Sequence, residues 1–360
     1  MKKEIYKIFS DEKKVLITGG AGFIGGCLIR RILNNTNSKI FNIDKISYAS
    51  DLSWLENCKN IHNHNLIKID LKNKDQVFES IRKSDPDIIF NLAAESHVDR
   101  SIDDPFPFIE SNILGTYNLL NAVKLHYQNL NKNRKKSFRF LHISTDEVFG
   151  SLGNTGLFNE STPYDPRSPY SASKAASDHL VNSWHHTYEI PTLITNCSNN
   201  FGPFQYPEKL IPLVIDKALK ENDIPIYGNG LNVRDWLFVE DHIEALLKVI
   251  SFGEIGKSYC IGGFGERSNL EIVNNVCEIL DNSLKKDFSH KSLIKFVKDR
   301  PGHDKRYSIN SKLIQKELNW EPKNNLINNL EFTVKWYLNN RNWLKKTTSL
   351  SKFKGSRMGL

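Results

Sequence analysis

Lys14-Val15-Leu16-Ile17-Thr18 runs directly into Gly19-Gly20-Ala21-Gly22-Phe23-Ile24-Gly25 and on into an amphipathic stretch. The first five residues read as a short buried strand. The glycines permit a tight turn in which a pyrophosphate can meet bare backbone N–H groups at a helix N-terminus. Two registers fit: Gly20, Gly22 and Gly25 as GxGxxG, or Gly19, Gly22 and Gly25 as GxxGxxG. A lone glycine pattern is weak evidence. This one follows a strand, opens a helix, and has Asp44 closing the next apolar run, 19 residues past Gly25. A carboxylate there accepts hydrogen bonds from an adenosine ribose and repels a 2′-phosphate, which favours NAD over NADP. Lys45 beside it pulls slightly the other way.

Working outward, apolar runs at Val15–Thr18, Ile40–Ile43, Leu66–Ile69, Ile88–Leu92, Phe138–Ile143 and Thr192–Thr195 alternate with helix-like stretches at Phe23–Asn34, Lys74–Lys83, Pro107–Leu130 and Ser171–Glu189. Short continuous strands between helices predict an α/β fold, a doubly wound parallel Rossmann sheet covered on both faces. After about residue 200 the rhythm breaks. Glycines and prolines from Gly202 to Gly230 signal loops. Helix-like Val239–Ile250, Asn269–Leu280 and Ser311–Leu318 and strand-like Ser258–Ile261 follow. The expected division is an N-terminal extension (1–13), an NAD-binding domain (14–200, with 234–263 returning to it), a smaller mixed substrate lobe (201–233 and 264–343) and a basic tail (344–360).

Composition narrows the classes. The chain has 39% hydrophobic and 25% charged residues, with 20 Phe, 12 Tyr and 6 Trp, too many aromatics for a disordered chain. No apolar run is long enough to span a membrane, and the start, MKKEIYKIFSDEKK, has no apolar stretch of a secretory signal. Five scattered cysteines read as reduced thiols of a cytoplasmic protein, and no histidine or cysteine spacing suggests a metal. Of the net charge of +8, seven charges lie after Glu331, where no acid stands, so the body is near neutral and nucleic acid is not an expected partner. The basic cluster Asn131–Arg139 reads as an exposed loop. His97 and His142 read as locally hydrogen-bonded residues.

Two further patterns point to chemistry. Tyr170 and Lys174 share one helical face at i, i+4. A nearby ammonium lowers a phenol's pKa, so the pair can deprotonate an alcohol while hydride leaves its carbon. Thr145-Asp146-Glu147 closes the fifth strand, where parallel sheets bind ligands. Hydride transfer alone needs no such acids. Loss of water beside a ketone needs both a base and an acid, and burial can set two carboxyls apart for these tasks.

These residues lie within longer motifs: TGGAGFIG at 18–25, Asp44 and Lys45 with Ser47 and Tyr48, Asp70-Leu71, NLAAESHVDRS at 91–101, STDEVFG at 144–150, YSASK at 170–174, NCSNNFGPFQYPEKLIP at 196–212, PIYGNGLNVRDW at 225–236 and DRPGH at 299–303. From Lys14 to Trp343 the chain resembles the extended short-chain dehydrogenase/reductase family and, within it, the dTDP-glucose 4,6-dehydratases. The resemblance implies that Tyr170 with Lys174 deprotonates the sugar hydroxyl at carbon 4 and that Thr145 bonds the same oxygen. Glu147 would take the proton at carbon 5, and Asp146 would protonate the hydroxyl leaving carbon 6. It implies an NAD site of Gly19, Gly22, Phe23, Ile24, Gly25, Asp44, Lys45, Ser47, Asp70, Leu71, Leu92, Ala93, Ala94, Ser111, Tyr170, Lys174 and Asn200. The sugar nucleotide would meet Ser96, Thr145, Asp146, Glu147, Asn199, Lys209, Leu210, Pro225, Tyr227, Arg234, Asn269, Arg300 and His303. Arg234 and Arg300 suit a diphosphate by their guanidinium forks. A homodimer through a four-helix contact of Pro107–Leu130 and Ser171–Glu189 is also implied. Gly26, Ser50 and Phe149 depart from the family's usual pattern without touching an implied catalytic group.

The competing readings are a UDP-glucose dehydratase, a 4-epimerase or decarboxylase of the same family, and a non-catalytic nucleotide-binding relative. Asp146 followed by Glu147 separates the first reading from the epimerases, and the presence of every implied catalytic group speaks against the last. Thymine and uracil differ by one methyl, and no residue reads that methyl in the sequence.

Overall fold

The apolar runs become strands because each is short, rich in β-branched residues and stopped by polar or glycine positions. The computed structural model describes residues 4–9, 13–323 and 325–350. Its strands are β1 (Lys14–Thr18), β2 (Lys39–Asp44), β3 (His64–Lys68), β4 (Ile88–Asn91), β5 (Arg139–Thr145), β6 (Thr192–Cys197), β7 (Asn199–Phe201), β8 (Ile224–Tyr227), β9 (Val233–Phe238), β10 (Ser258–Ile261), β11 (Glu266–Ser268) and β12 (Ile294–Val297). Seven of them form one parallel sheet in the order β3-β2-β1-β4-β5-β6-β10. The order reverses between β1 and β4, which opens a crevice at the carboxyl ends of those strands.

Both faces are covered, as a parallel sheet requires. Along β1, Val15 and Ile17 face a core shared with the helices Phe23–Asn35 and Val239–Phe252, while Leu16 faces the helices Lys74–Ser84, Gly115–Asn129 and Pro169–Tyr188. The apolar run expected at Leu66–Ile69 is displaced to His64–Lys68 and is not buried: Leu66 is 40% exposed, because β3 is the outermost strand.

The second lobe is built from β7-β9-β11, the parallel pair β8-β12, and a core in which the helices Leu210–Leu219, Asn269–Leu284 and Leu326–Asn339 meet around Phe201, Val214, Val276 and Val334. Part of the segment expected as loops is therefore ordered structure. Pro212 lies in the first turn of its helix, where no N–H bond is lost, and Pro225 lies in a two-stranded sheet. Within 234–263, β10 and the helix Val239–Phe252 join the main sheet, whereas β9 pairs outside it.

Three other expectations change. Lys132–Ser137, expected as a loop, is a short helix whose Arg134 holds Asp85 and Asp87, each at 2.8 Å. The long helix expected at Pro107–Leu130 contains a π turn at Ile109–Leu114. That turn presents the buried Asn112 to Glu95 and, at 2.8 Å, to Ser173. The expected tail starts later than 344: Arg341–Leu350 is a helix, Leu344 is 2% exposed in the second core, and Tyr206 bonds the Thr347 carbonyl. Residues 351–360 lie outside the described residues. Leu344→Ala is expected to cost about 2–5 kcal/mol, against about 0.5 kcal/mol or less for the exposed Lys345→Ala. Denaturant melts in which both variants match wild type would contradict this packing.

Candidate active site

A cavity of about 460 Å³ opens at the carboxyl ends of β1, β4, β5 and β6 and is closed over by the second lobe. It is lined by every residue expected for cofactor, substrate or catalysis except Asp146.

The glycine turn resolves the open register. A Cβ on Gly20 would lie 2.2 Å from the Asn42 amide oxygen, inside the fold, whereas Gly19, Gly22 and Gly25 line the cavity, so GxxGxxG holds. Gly19 has φ +72° and passes so close to the Ala93 backbone that a Cβ would sit 2.8 Å from it. Gly22 caps the helix Phe23–Asn35 with no side chain covering the first N–H groups, and no acid stands in the first turn. A cradle of bare N–H groups at a 13-residue helix fits a pyrophosphate, and so fits NAD. Asp44 braces this turn as well as facing the cavity: it accepts from the Ala21 N–H at 3.0 Å and from the Ile46 N–H at 2.8 Å. Lys45 is paired with Glu95 at 2.6 Å, which offsets its pull toward a 2′-phosphate.

The helix Pro169–Tyr188 starts with a Ser168–Ser171 capping box and Pro169 in the first turn, so Tyr170 enters the cavity at a fixed angle. Here the sequence-based expectation needs correction. Burial, with Glu147 next in weight, pushes the Tyr170 phenol well above its ordinary range, and Lys174 does not offset it. Lys174 is itself buried. Its ammonium donates to the Ile143 carbonyl at 2.9 Å and lies 3.3 Å from His142 Nε2, and burial lowers its pKa. His142 in turn is 3.2 Å from Asp178, whose other oxygen accepts from Ser144 at 2.7 Å and Tyr164 at 2.9 Å. His142 thus bears on the site more closely than local hydrogen bonding alone implied.

β5 ends at Thr145, and Asp146–Phe149 turn away as a 3₁₀ helix capped by Thr145, which accepts from the Glu147 N–H at 3.3 Å. Glu147 lines the cavity. Asp146 lies behind the wall, 1% exposed, with Oδ1 accepting from Thr145 at 3.3 Å and Oδ2 without a partner. Burial, then Glu147, then Asp235 hold Asp146 well above the usual carboxylate range. Burial raises Glu147 too, but Arg300, Arg234 and Lys209 pull it back. Asp146 is therefore pushed further toward the neutral form than Glu147, whose neighbouring cations favour ionisation.

Beyond Glu147 the cavity turns cationic. Arg234 is buried over the Tyr307 ring at 4.2 Å, and its guanidinium donates to the Val233 carbonyl at 2.8 Å and the Asp304 carbonyl at 3.1 Å. Arg300 is held by Asp99 at 3.2 Å, and Asp99 also accepts from Tyr227 at 2.9 Å. Lys209 donates to the Ser96 carbonyl at 2.9 Å. Two guanidinium groups lining one space, Arg234 buried and Arg300 half-buried, suit a diphosphate. His303 bonds Asp299 at 2.6 Å and is pushed down to about 4, chiefly by burial, so it is neutral at pH 7. The supporting residues Asp99, Asn112, Asp178 and Tyr307 carry no spacing signal in the sequence. Asp99 and Asp178 lie inside motifs already quoted or just beyond one, which was the only hint.

Residues 16–331 match the GDP-mannose 4,6 dehydratase family. The dTDP-glucose 4,6-dehydratase of Shigella flexneri is 47% identical over 345 residues, 93% of this chain and 96% of that one. Its counterpart from Xanthomonas campestris is 48% identical over 92% of this chain and 94% of its own. The dTDP-glucose 4,6-dehydratase of Bacillus anthracis, solved with NAD, superposes with a TM-score of 0.82 at 40% identity, covering 93% of this chain and 99% of that one. The cradle, the acid pair and the cationic end are thus set in a fold shared along nearly the whole chain, and the chain belongs to the GDP-mannose 4,6 dehydratase family.

Proposed function

We propose that this chain removes water from dTDP-glucose to give dTDP-4-dehydro-6-deoxy-glucose, a step of deoxysugar biosynthesis. The observation that carries the reading is the buried, charge-averse Asp146 beside the cavity-facing, cation-flanked Glu147 at the exit of β5. NAD, when bound, supplies the acceptor for hydride from carbon 4 and gives hydride back at carbon 6. Tyr170 takes the proton of the carbon-4 hydroxyl, which requires its phenol to be ionised first, and the positive charge of bound oxidised NAD would favour that form against the burial that opposes it. Lys174 places a positive charge on the same helix face. Glu147 removes the carbon-5 proton, acidified by the new ketone, and later returns it. Asp146 gives its proton to the hydroxyl departing from carbon 6. Arg234, Arg300 and Lys209 bind the diphosphate. A 4-epimerase has no leaving group to protonate and no use for a neutral carboxyl here.

We further propose a homodimer working in the cytoplasm. Phe106, Ile109, Leu114, Tyr117 and Leu125 lie 41–62% exposed along the Phe106–Asn129 helical segment, beside Tyr188 at the end of the neighbouring helix, an apolar face suited to the same face of a second copy. Its five cysteines are buried free thiols, which accords with a reducing compartment. No helix among the described residues is long and apolar enough to cross a membrane.

Purified protein should convert dTDP-glucose to a keto sugar with no net change in NAD; formation of dTDP-galactose, or action on UDP-glucose alone, contradicts the assignment. Asp146→Asn should slow water loss about 100-fold or more while sparing the first hydride transfer, so reduced cofactor builds up in a single turnover. Wild-type kinetics in Asp146→Asn would move the acid elsewhere. The turnover rate should fall toward low pH as Glu147 gains a proton, with a midpoint above the usual carboxylate range because burial raises it, and fall toward high pH as Asp146 loses its own. An acid limb that survives Glu147→Gln unchanged contradicts that sign. Gly22→Ala, whose methyl would press on the Gly19 carbonyl at 3.2 Å but far less than at Gly25, should keep stability within about 1 kcal/mol but weaken NAD binding about tenfold, or 1.4 kcal/mol. Gly25→Ala, whose methyl would meet the Gly19 carbonyl at 2.3 Å, should destabilise the fold. Calorimetry giving equal NAD affinity for Gly22→Ala and wild type contradicts the cradle.

A further inference from the structure

In the proposed reaction the hydride taken from carbon 4 is the one given back at carbon 6. A cofactor lost between the two transfers would strand the keto sugar. The site therefore has to keep its NAD through a whole turnover, and the loop after β2 is tied down in a way that bears on this.

Residues 45–51 are fastened inward to the cradle. Asp44 Oδ1 accepts from the Ile46 N–H at 2.8 Å and from Ser50 Oγ at 3.1 Å, and Ser50 Oγ accepts from the Ser47 N–H at 3.0 Å. The Asp51 N–H donates to the Ala21 carbonyl, in the glycine turn, at 2.8 Å. Ser47, Tyr48, Ala49 and Ser50 line the cavity. The same loop is gripped from the other lobe. Tyr48 donates to Glu208 Oε1 at 2.9 Å, and Tyr206 packs edge-on against the Tyr48 ring at 5.5 Å. Glu208 is 7% exposed and pairs with Arg100 at 3.3 Å. Burial, with Glu208 next in weight, keeps the Tyr48 phenol protonated, so it stays a donor. On the helix Arg341–Leu350, Trp343 Nε1 donates to Asp51 Oδ2 at 2.8 Å. Tyr206 and Glu208 also line the cavity, so the Tyr48–Glu208 bond joins two of its walls. Parting those walls breaks a largely desolvated hydrogen bond to a carboxyl, which is stronger than its counterpart in water.

Resting on the dehydratase reading, we propose that Tyr48, Glu208 and Trp343 form a strap that must open before NAD enters or leaves, and so keeps one NAD in place from the first hydride transfer to the second. The three are positioning residues: they hold the loop beside Asp44 and touch no reacting atom. A strap of this kind acts on entry and exit alike. It slows exchange without adding affinity, because it is made equally with the cradle filled or empty.

The test uses the full-length enzyme loaded with radiolabelled NAD and no sugar nucleotide. A chase with unlabelled NAD gives the release rate, and equilibrium dialysis gives Kd. Tyr48→Phe keeps the ring and loses the bond to Glu208; Trp343→Phe keeps an aromatic ring and loses the bond to Asp51. Each should release label about tenfold faster than wild type with Kd within about twofold, since entry quickens by the same factor. Adding Glu208→Gln to Tyr48→Phe should bring no further increase, because both remove one bond. Arg134→Ala, remote from the cavity, should lower the melting temperature and leave release unchanged. Release at the wild-type rate in both Tyr48→Phe and Trp343→Phe overturns the strap. Faster release matched by an equal loss of affinity also overturns it, because the residues would then only strengthen binding. So does faster release in Arg134→Ala, which would trace the effect to general loosening. Should Tyr48→Phe not fold, Trp343→Phe reads the same two constants. The chase needs no turnover, so wild-type enzyme that retains NAD yet makes no keto product from dTDP-glucose overturns the dehydratase reading instead.

Discussion

Two carboxyl groups on consecutive residues, both taken out of water, cannot comfortably hold two negative charges. Asp146 and Glu147 are in that position because β5 ends at Thr145 and the chain turns tightly as a 3₁₀ helix at the edge of a sheet covered on both faces. The asymmetry between them comes from their neighbours. Glu147 looks across the cavity at Arg300, Arg234 and Lys209, while Asp146 has Asp235 and the protein interior. The cations suited to a diphosphate therefore also favour the ionised form of Glu147. The second lobe tunes the acid as well, through Asp235 on β9, whose carboxylate is fixed by the N–H groups of Gly263 and Gly265 at 3.0 and 2.9 Å.

That arrangement makes the two lobes chemically interdependent. Asp99, from the helix Val98–Asp103 beside the main sheet, reaches across to Arg300 and Tyr227. Tyr48, just past Asp44, donates to Glu208 at 2.9 Å, and the Arg100 guanidinium lies 3.8 Å over its ring. Both contacts are largely desolvated, where charge pairing and hydrogen bonds count for more than on a surface. They hold the cofactor end and the nucleotide end of one cavity in register.

Much of this was legible in the sequence. Strand-plus-glycine reading is local, so β1, the turn and Asp44 were readable, and the doubly wound parallel sheet followed from the alternation of strands and helices. The register of the glycines was not, because only the packing of Gly20 against Asn42 decides it. The segment after residue 200 was under-read, since prolines that punctuate most chains here sit in a first helical turn and a short parallel pair. The basic run at 131–139 and the tail at 344–360 looked solvated by charge count, yet Arg134 anchors the first and Leu344 the described part of the second. The charge states were the least legible. Spacing put Lys174 beside Tyr170, but only the three-dimensional packing shows Lys174 turned to Ile143 and His142, and Asp146 sunk behind the cavity wall.

The central claim is that Asp146 is a neutral carboxylic acid at pH 7. Infrared difference spectroscopy between wild type and Asp146→Asn, both folded and loaded with NAD, tests it without requiring turnover. The account predicts that the substitution removes a protonated-carboxyl C=O stretch. Loss of carboxylate bands alone, with no protonated carboxyl signal, would contradict it.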